Sequence, residues 1–132
     1  AILLAGCNGN PVRQDQAATG AVETQPLPAY GDATRQQVVD SALSKLGSPY
    51  RYGGNGPRSF DCSGLVHYSY ASAGLAIPRT TAALWARMAP VDARSMRTGD
   101  LLFFDIQGKM SHVGLYLGSG RFVHAPSTGR AV

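Results

Sequence analysis

The chain has 132 residues, of which 44% are hydrophobic and 15% charged, and this balance predicts one globular domain with a single modest core. Its formal charge of +4 suits an anionic environment, but no long run of Lys and Arg is present, so the composition gives no support for nucleic-acid binding. No stretch of about 18 apolar residues is available to form a transmembrane helix.

Residues 1–7, AILLAGC, form a short apolar run that ends in a cysteine, and the sequence begins without Met. Small residues followed by Cys resemble the bacterial lipoprotein signal, in which cleavage falls before the Cys and its thiol receives a lipid. We therefore expect residues 1–7 to be the end of such a signal and Cys7 to be lipidated. The alternative is an apolar terminus with an incidental Cys, which leaves open a Cys7–Cys62 disulfide in an oxidising compartment.

Residues 8–31 are rich in Gly, Pro, Asn, Gln and Thr, and their few apolar residues do not recur at the spacing of a helix or a strand. This composition predicts a flexible linker. A linker of this kind would let a lipid-anchored domain reach its substrate. The folded domain is then expected over residues 32–132.

Three helices are predicted in the first part of that domain. The first has Thr34 as its N-cap and ends at Gly47, after an apolar stripe with helical spacing. Residues 48–60 contain too much Gly and Pro for a long regular element. A second helix is predicted over residues 62–73, and a short third helix over residues 80–88, ahead of a proline.

Short apolar runs predict three strands in the second part of the domain. They cover residues 101–104, 112–117 and 121–124, and the Gly-Ser-Gly of residues 118–120 predicts a tight hairpin turn between the last two. Helices followed by antiparallel strands are typical of an α+β domain. Because a sheet of three short strands is thin, a further strand is expected to lie beyond the end of this sequence.

Cys62 is a candidate nucleophile because it stands at the start of the second predicted helix. The N–H groups and partial positive charge of a helix N-terminus favour negative charge on the sulfur, and they can also hold a developing oxyanion. The alternative is a small apolar core residue, since most free cysteines are buried.

Two of the three histidines are predicted to meet at one end of the hairpin. If the chain turns at Ser119, position 112 pairs near position 126, which is within two residues of His124. One imidazole of the pair His112 and His124 could take a thiol proton while the other holds its second nitrogen. His67 lies about 140° around the helix from Cys62 and is interpreted as structural.

A zinc site is an alternative interpretation of the same residues, because one Cys, two His and a water suit zinc. No local pair such as C-x-x-C or H-x-x-x-H is present, however, and no carboxylate completes the set. We therefore predict neither a metal nor another cofactor.

The ordered motifs of the chain resemble the NlpC-type cell-wall cysteine peptidases of the papain-like superfamily. The resemblance covers about residues 35–130, and its motifs are PYRYGG (49–54), DCSGLV (61–66), RTT (79–81), TGDLLFF (98–104), SHVGLYLG (111–118) and FVHA (122–125). It implies a papain-like α+β fold, with helices packed on a small antiparallel sheet. It also implies hydrolysis of peptide bonds in peptidoglycan stem peptides or cross-links.

The resemblance assigns roles to individual residues. Cys62 is similar to the family nucleophile, His112 to its base, and His124 to the third, orienting residue. Tyr50 matches a tyrosine whose hydroxyl helps to stabilise the oxyanion.

The residues on either side of the nucleophile also have counterparts in the resemblance. Asp61 and Ser63 match a pair that shapes substrate binding. Asp61 has an alternative role as the cap of the helix that Cys62 begins.

With its lipoprotein-like start, the chain most resembles the Spr-type murein endopeptidases of Gram-negative envelopes. This subgroup favours cleavage of D-Ala to diaminopimelate cross-links over D-Glu to diaminopimelate bonds. It implies a location on the periplasmic side of the envelope, and Asn8 in place of Asp after Cys7 favours the outer membrane. We expect a monomer, although the sequence alone does not give the oligomeric state. A non-catalytic wall-binding module and a different acyl-transfer enzyme on the same fold remain alternatives.

Overall fold

Helices precede strands in the computed structural model, which describes residues 31–132. The elements in chain order are α1 (Asp32–Leu43), α2 (Cys62–Ser72), α3 (Thr81–Arg87), a 3-10 turn (Ala93–Ser95), β1 (Leu101–Ile106), β2 (Lys109–Gly118) and β3 (Arg121–Val123). The predicted α+β class is confirmed. The predicted signal end, the lipidated Cys7 and the linker up to residue 30 lie outside the described residues. None of the helices within residues 31–132 is long and apolar enough to cross a membrane.

α1 starts earlier than the sequence predicts. Its N-cap is Gly31 rather than Thr34, and no side chain caps it. The first turn is held from outside, because Asp32 pairs with Arg97 and Arg35 pairs with Asp100 at 2.6 Å. Both ion pairs join this turn to residues far along the chain, and the Asp32 carboxylate also suits the positive end of the helix.

α2 is the central helix of the core and lies within one residue of its predicted span. Its residues Leu65 and Val66 are almost fully buried, and burial of each such side chain stabilises the fold by about 1.5–3 kcal/mol. Tyr70 is also buried, and its hydroxyl donates to the Gly99 carbonyl at 2.5 Å. Gly74, just after the helix, has a φ of +81°, a left-handed conformation that is typical of a glycine at a helix C-terminus.

The three strands form one antiparallel sheet in the order β1-β2-β3. Leu115 of β2 pairs with Val123 of β3, and both side chains are buried against the helices. β2 begins at Lys109 rather than at residue 112, because β1 and β2 are joined directly through the left-handed residues Gln107 and Gly108.

The last described residues pair with the loop that follows α1. The Val132 N–H donates to the Ser48 carbonyl at 2.9 Å, and the Tyr50 N–H donates to the Arg130 carbonyl at 2.9 Å. Pro49 forms a bridge with Ala131 between these two bonds. This short ladder holds the start of the loop of residues 48–60 in place.

Candidate active site

Three elements meet at the sulfur of Cys62, which is the first residue of α2. Within residues 31–132, Cys62 is a free cysteine. Cys62 Sγ lies 3.5 Å from Thr81 Oγ1 at the start of α3 and 3.9 Å from the Ser111 carbonyl oxygen of β2. The thiol is partly exposed. It is therefore open to a substrate while α2, α3 and β2 fix its position.

Asp61 starts α2 as its N-cap. One carboxylate oxygen accepts the Gly64 N–H at 2.6 Å, and the other accepts the Gly53 N–H at 3.0 Å. The capping interpretation of Asp61 is thus confirmed. Because Asp61 takes the Gly64 N–H, the donors left at this end of the helix are the N–H groups of Cys62 and Ser63.

Arg79 joins the two residues that flank Cys62. Its guanidinium donates to both carboxylate oxygens of Asp61, at 2.9 and 3.0 Å, in a bidentate ion pair. It also donates to Ser63 Oγ at 2.9 Å and to the Gly54 carbonyl at 3.0 Å. The side chains of Asp61 and Ser63 are thereby held rigidly beside the thiol.

The loop of residues 48–60 packs directly against α2. A Cβ at Gly64 would lie 1.9 Å from the Gly54 carbonyl oxygen, so only glycine permits this approach. The Asp61 N–H donates to the same carbonyl at 2.9 Å. The close contact brings Tyr50, at the start of the loop, towards the N-terminus of α2.

Tyr50 lies near enough to the thiol for electrostatic interaction. Burial raises the pKa of Tyr50 above 10.0, and negative charge on Cys62 and Asp61 raises it further. Its hydroxyl therefore stays protonated at neutral pH and is available as a hydrogen-bond donor.

His112 and His124 lie together, as the hairpin spacing predicts. Their nearest ring nitrogens, His112 Nε2 and His124 Nδ1, are 2.7 Å apart. His112 follows directly after Ser111, whose carbonyl faces the Cys62 sulfur. Since Nε2 of His112 is used by His124, Nδ1 is the nitrogen left to exchange a proton with a thiol.

Burial lowers the pKa of both imidazoles below the ordinary value of 6.5. For His124, the charges of His112 and Arg130 lower the pKa further. Both rings are consequently neutral near pH 7, and His112 is available as a base.

Two phenylalanines frame the histidine pair. The Phe104 ring lies 5.6 Å from the His112 ring, the Phe122 ring lies 4.9 Å from the His124 ring, and the two phenyl rings are 5.2 Å apart. Gly114 leaves room for this packing, because a Cβ there would lie 3.3 Å from His124 Cβ. The aromatic surroundings account for the burial that lowers both pKa values.

His67 lies apart from this group, and its Nδ1 is 3.0 Å from the Ile77 carbonyl oxygen. That contact agrees with its predicted structural role. Within residues 31–132, no group of three or more His, Cys, Asp or Glu side chains is placed to hold a metal ion. The alternative disulfide involves Cys7, which lies outside the described residues.

Two residues at this site, Arg79 and Thr81, received no role from the sequence. Arg79 is 18 residues from Asp61, and Thr81 is 19 residues from Cys62, so no local spacing links them. The signal available was the polar run Arg-Thr-Thr at the start of the third predicted helix, which is also one of the motifs of the family resemblance.

Fold and site together define a class of α+β proteins in which a thiol at a helix N-terminus lies beside a histidine pair on a β-hairpin. Residues 47–132 match the NlpC/P60 family, and the chain belongs to that family.

Relatives and solved structures agree with this membership. The chain is 35% identical to murein DD-endopeptidase MepH of Escherichia coli over 133 residues, which covers 96% of this chain and 49% of that protein. It is 41% identical to the probable endopeptidase p60 of Listeria monocytogenes over 92 residues, covering 70% of this chain and 19% of that protein. The chain thus spans at most about half the length of these two relatives.

A crystal structure of the NlpC/p60 domain of the peptidoglycan hydrolase SagA matches with a TM-score of 0.67 and 34% identity. The match covers 74% of this chain and 84% of that one. The α+β fold is therefore the fold of this family.

Proposed function

We propose that this chain is a cysteine endopeptidase that hydrolyses peptide bonds in peptidoglycan stem peptides or cross-links. One observation carries the proposal: a free thiol at the start of α2 lies beside the strand that presents His112, and His112 is hydrogen-bonded to His124 at 2.7 Å. The names of two relatives, a murein endopeptidase and a peptidoglycan hydrolase, support the substrate class.

In the proposed reaction, His112 Nδ1 takes the thiol proton and Cys62 Sγ attacks the carbonyl carbon of the scissile bond. The proton on His112 Nε2 stays in its hydrogen bond to His124 Nδ1, which holds the ring in this orientation. The C–N bond then breaks, and the His112 imidazolium gives its proton to the leaving amine. A water activated by His112 hydrolyses the thioester and restores the thiol.

The negative oxygen formed during attack needs donors close to the sulfur. The N–H groups of Cys62 and Ser63 at the start of α2 are suited to this role, since neither has a partner within the helix. Tyr50 is the third donor in the proposal, because its raised pKa keeps the hydroxyl protonated. A negative charge on the oxygen favours all three bonds.

Asp61 and Ser63 are proposed to shape the binding of the stem peptide next to Cys62. The bidentate contact with Arg79 supports this role, because it holds both side chains in one orientation. Because these two side chains are already held in one orientation, hydrogen bonds from them to the N–H and C=O groups of a peptide cost little conformational entropy.

For the remainder of the chain, we propose a lipoprotein arrangement, with a signal end at residues 1–7, a lipid on Cys7, a linker over residues 8–31 and the catalytic domain over residues 32–132. This arrangement would place a monomeric domain on the periplasmic side of the outer membrane, within reach of cross-links between D-Ala and diaminopimelate. Replacing Cys7 by Ser should release the protein from membranes into the soluble fraction and abolish incorporation of labelled fatty acid.

The central experiment is digestion of purified sacculi by the wild-type chain and by Cys62→Ala, with soluble muropeptides read by mass spectrometry. We expect release by the wild type and none by the variant, with circular dichroism verifying that both are folded. Undiminished release by Cys62→Ala would reject the proposal. Binding of sacculi without any release by the wild type would support a wall-binding module instead.

A further inference from the structure

A threonine hydroxyl on α3 contacts the sulfur of Cys62. Thr81 Oγ1 lies 3.5 Å from Cys62 Sγ, and Thr81 is only 9% exposed. This hydroxyl is not needed to start α3, because the neighbouring Thr80 hydroxyl caps that helix by accepting the Ala83 N–H at 3.2 Å. Within residues 31–132, the Thr81 hydroxyl has the Cys62 sulfur as its hydrogen-bond partner.

Burial of the Thr81 hydroxyl costs desolvation free energy that a weak hydrogen bond to sulfur does not fully offset. A hydroxyl that leaves water and receives only a weak sulfur partner destabilises the fold, whereas Val would have nearly the same shape with no polar atom. Thr81 therefore occupies a position where packing alone would favour Val.

The direction of the hydrogen bond changes with the state of the thiol. The Ser111 carbonyl, 3.9 Å from the sulfur, can only accept, so a neutral thiol can direct its proton towards that oxygen or towards Thr81. Once the proton has moved to His112, the sulfur carries a negative charge and can only accept. The Thr81 hydroxyl must then be the donor, and a hydrogen bond to an ion is stronger than one to a neutral group.

We propose that Thr81 is a positioning residue that donates a hydrogen bond to the Cys62 thiolate and orients the sulfur for attack. This inference rests on the proposed function only in taking Cys62 as the nucleophile. Thr81 acts through Cys62 and not by contact with the substrate. Its effect therefore belongs to the reactivity of the thiol, which can be measured without peptidoglycan.

The test compares Thr81→Val, which removes the hydroxyl at constant shape, with Thr81→Ser, which keeps it. Alkylation of the full chain by iodoacetamide is followed across pH, and mass spectrometry of the peptide that contains Cys62 isolates this thiol from Cys7. We expect Thr81→Val to lower the alkylation rate near neutral pH about tenfold and to move the profile to higher pH. Thr81→Ser should stay within about twofold of the wild type.

Thr98→Val is the matched control, because it likewise replaces a threonine hydroxyl by a methyl group. The Thr98 hydroxyl is partly buried and donates to the Leu117 carbonyl at 3.3 Å, away from the thiol. Its alkylation profile should equal that of the wild type. Thermal unfolding of every variant verifies folding, and Thr81→Ala compared with Thr81→Ser replaces the Val variant if that variant does not fold.

Turnover provides a second measurement. On a defined muropeptide, Thr81→Val should lower kcat about tenfold and leave KM unchanged, because the hydroxyl is proposed to act on the sulfur and not on the substrate. A wild type that cleaves nothing would contradict the proposed function and leave the alkylation test in force. The inference is overturned if Thr81→Val is alkylated like the wild type at every pH, or if Thr81→Ser is as slow as Thr81→Val.

Discussion

His112 Nε2 lies 2.7 Å from His124 Nδ1, so one of these two nitrogens must carry a proton and the other a lone pair. With both rings neutral, a proton on His112 Nε2 leaves His112 Nδ1 free to accept a proton from the thiol. When the hydrogen bond runs from His112 to His124, it therefore leaves His112 in the tautomer that a base requires. Protonation of His124 puts a proton on its Nδ1, so His112 can keep the hydrogen bond only in the tautomer whose own Nδ1 is protonated and cannot act as the base.

The two histidines should therefore contribute unequally to activity. His112→Ala should lower kcat by about 10²- to 10⁴-fold, because it removes the base. His124→Asn should lower kcat by about ten- to a hundredfold, because its amide oxygen can still accept from His112 Nε2. The initial rate at which soluble muropeptides are released, measured with sacculi in saturating excess over enzyme, ranks the variants. The reverse ranking would exchange the roles of the two residues.

The pH dependence of activity should respond to Arg130. The pKa of His124 lies below 6.5, by burial first and then by the charges of His112 and Arg130. Removing a cation raises that pKa, so Arg130→Gln should move the acidic limb of kcat/KM to higher pH.

Arg121→Gln is the control for that experiment. It makes the same change in net charge at the turn end of the hairpin, where Arg121 pairs with Gly118. The acidic limb should not move in this variant. An equal movement in both variants would indicate an effect of net charge and not of Arg130 on His124.

Stability should fall as the solution becomes acidic below pH 6.5. The folded pKa of His112 and His124 lies below the unfolded value of 6.5, so the unfolded chain binds more protons in the interval between the two values. The free energy of unfolding should decrease through that interval and stop responding to these groups below the folded pKa. Urea unfolding at a series of pH values measures the slope, and His124→Asn should reduce it. A slope unchanged by His124→Asn would contradict the lowered pKa.

Gly64→Ala should damage both stability and activity. The added Cβ would lie 1.9 Å from the Gly54 carbonyl oxygen, so the loop of residues 48–60 must move away from α2. We expect a loss of about 1–3 kcal/mol or more in the free energy of unfolding. Activity should fall further than stability predicts, because the loop carries Tyr50. Gly31→Ala is the control, since nothing lies within 4 Å of its Cβ position. Equal unfolding free energies for the two variants would argue against the close contact.

Arg79→Lys should preserve the positive charge but lose the bidentate hydrogen-bond geometry of the guanidinium. A lysine cannot make the bidentate contact with Asp61 and also reach Ser63 and the Gly54 carbonyl. We expect kcat/KM to fall about tenfold on a defined muropeptide, with a loss of about 1–2 kcal/mol in unfolding free energy. Activity equal to that of the wild type would mean that charge alone suffices beside Cys62.

Much of the framework follows from local sequence patterns. Asp61 and Thr80 start α2 and α3 at the expected positions because capping depends on neighbouring residues. The pairing of Leu115 with Val123 is the register that a turn centred on Ser119 predicts. The proximity of the two histidines follows from that register.

Features that depend on distant partners were not predictable in the same way. The first turn of α1 starts earlier than predicted, and its Asp32 pairs with Arg97, which is 65 residues away. The four hydrogen bonds of Arg79 reach residues 16 to 25 positions earlier in the chain. No periodic or capping pattern extends over such separations, so only the folded chain identifies these contacts.

The ladder between residues 48–50 and residues 130–132 ties the start of the Tyr50 loop to a distant part of the chain. The Tyr50 N–H donates to the Arg130 carbonyl, which lies 80 residues later in the chain. Contacts across such a sequence separation form late, because a long loop must close first. We therefore expect the loop that carries Tyr50 to reach its final position late in folding, after the helices and the hairpin have brought Cys62 and the histidine pair together.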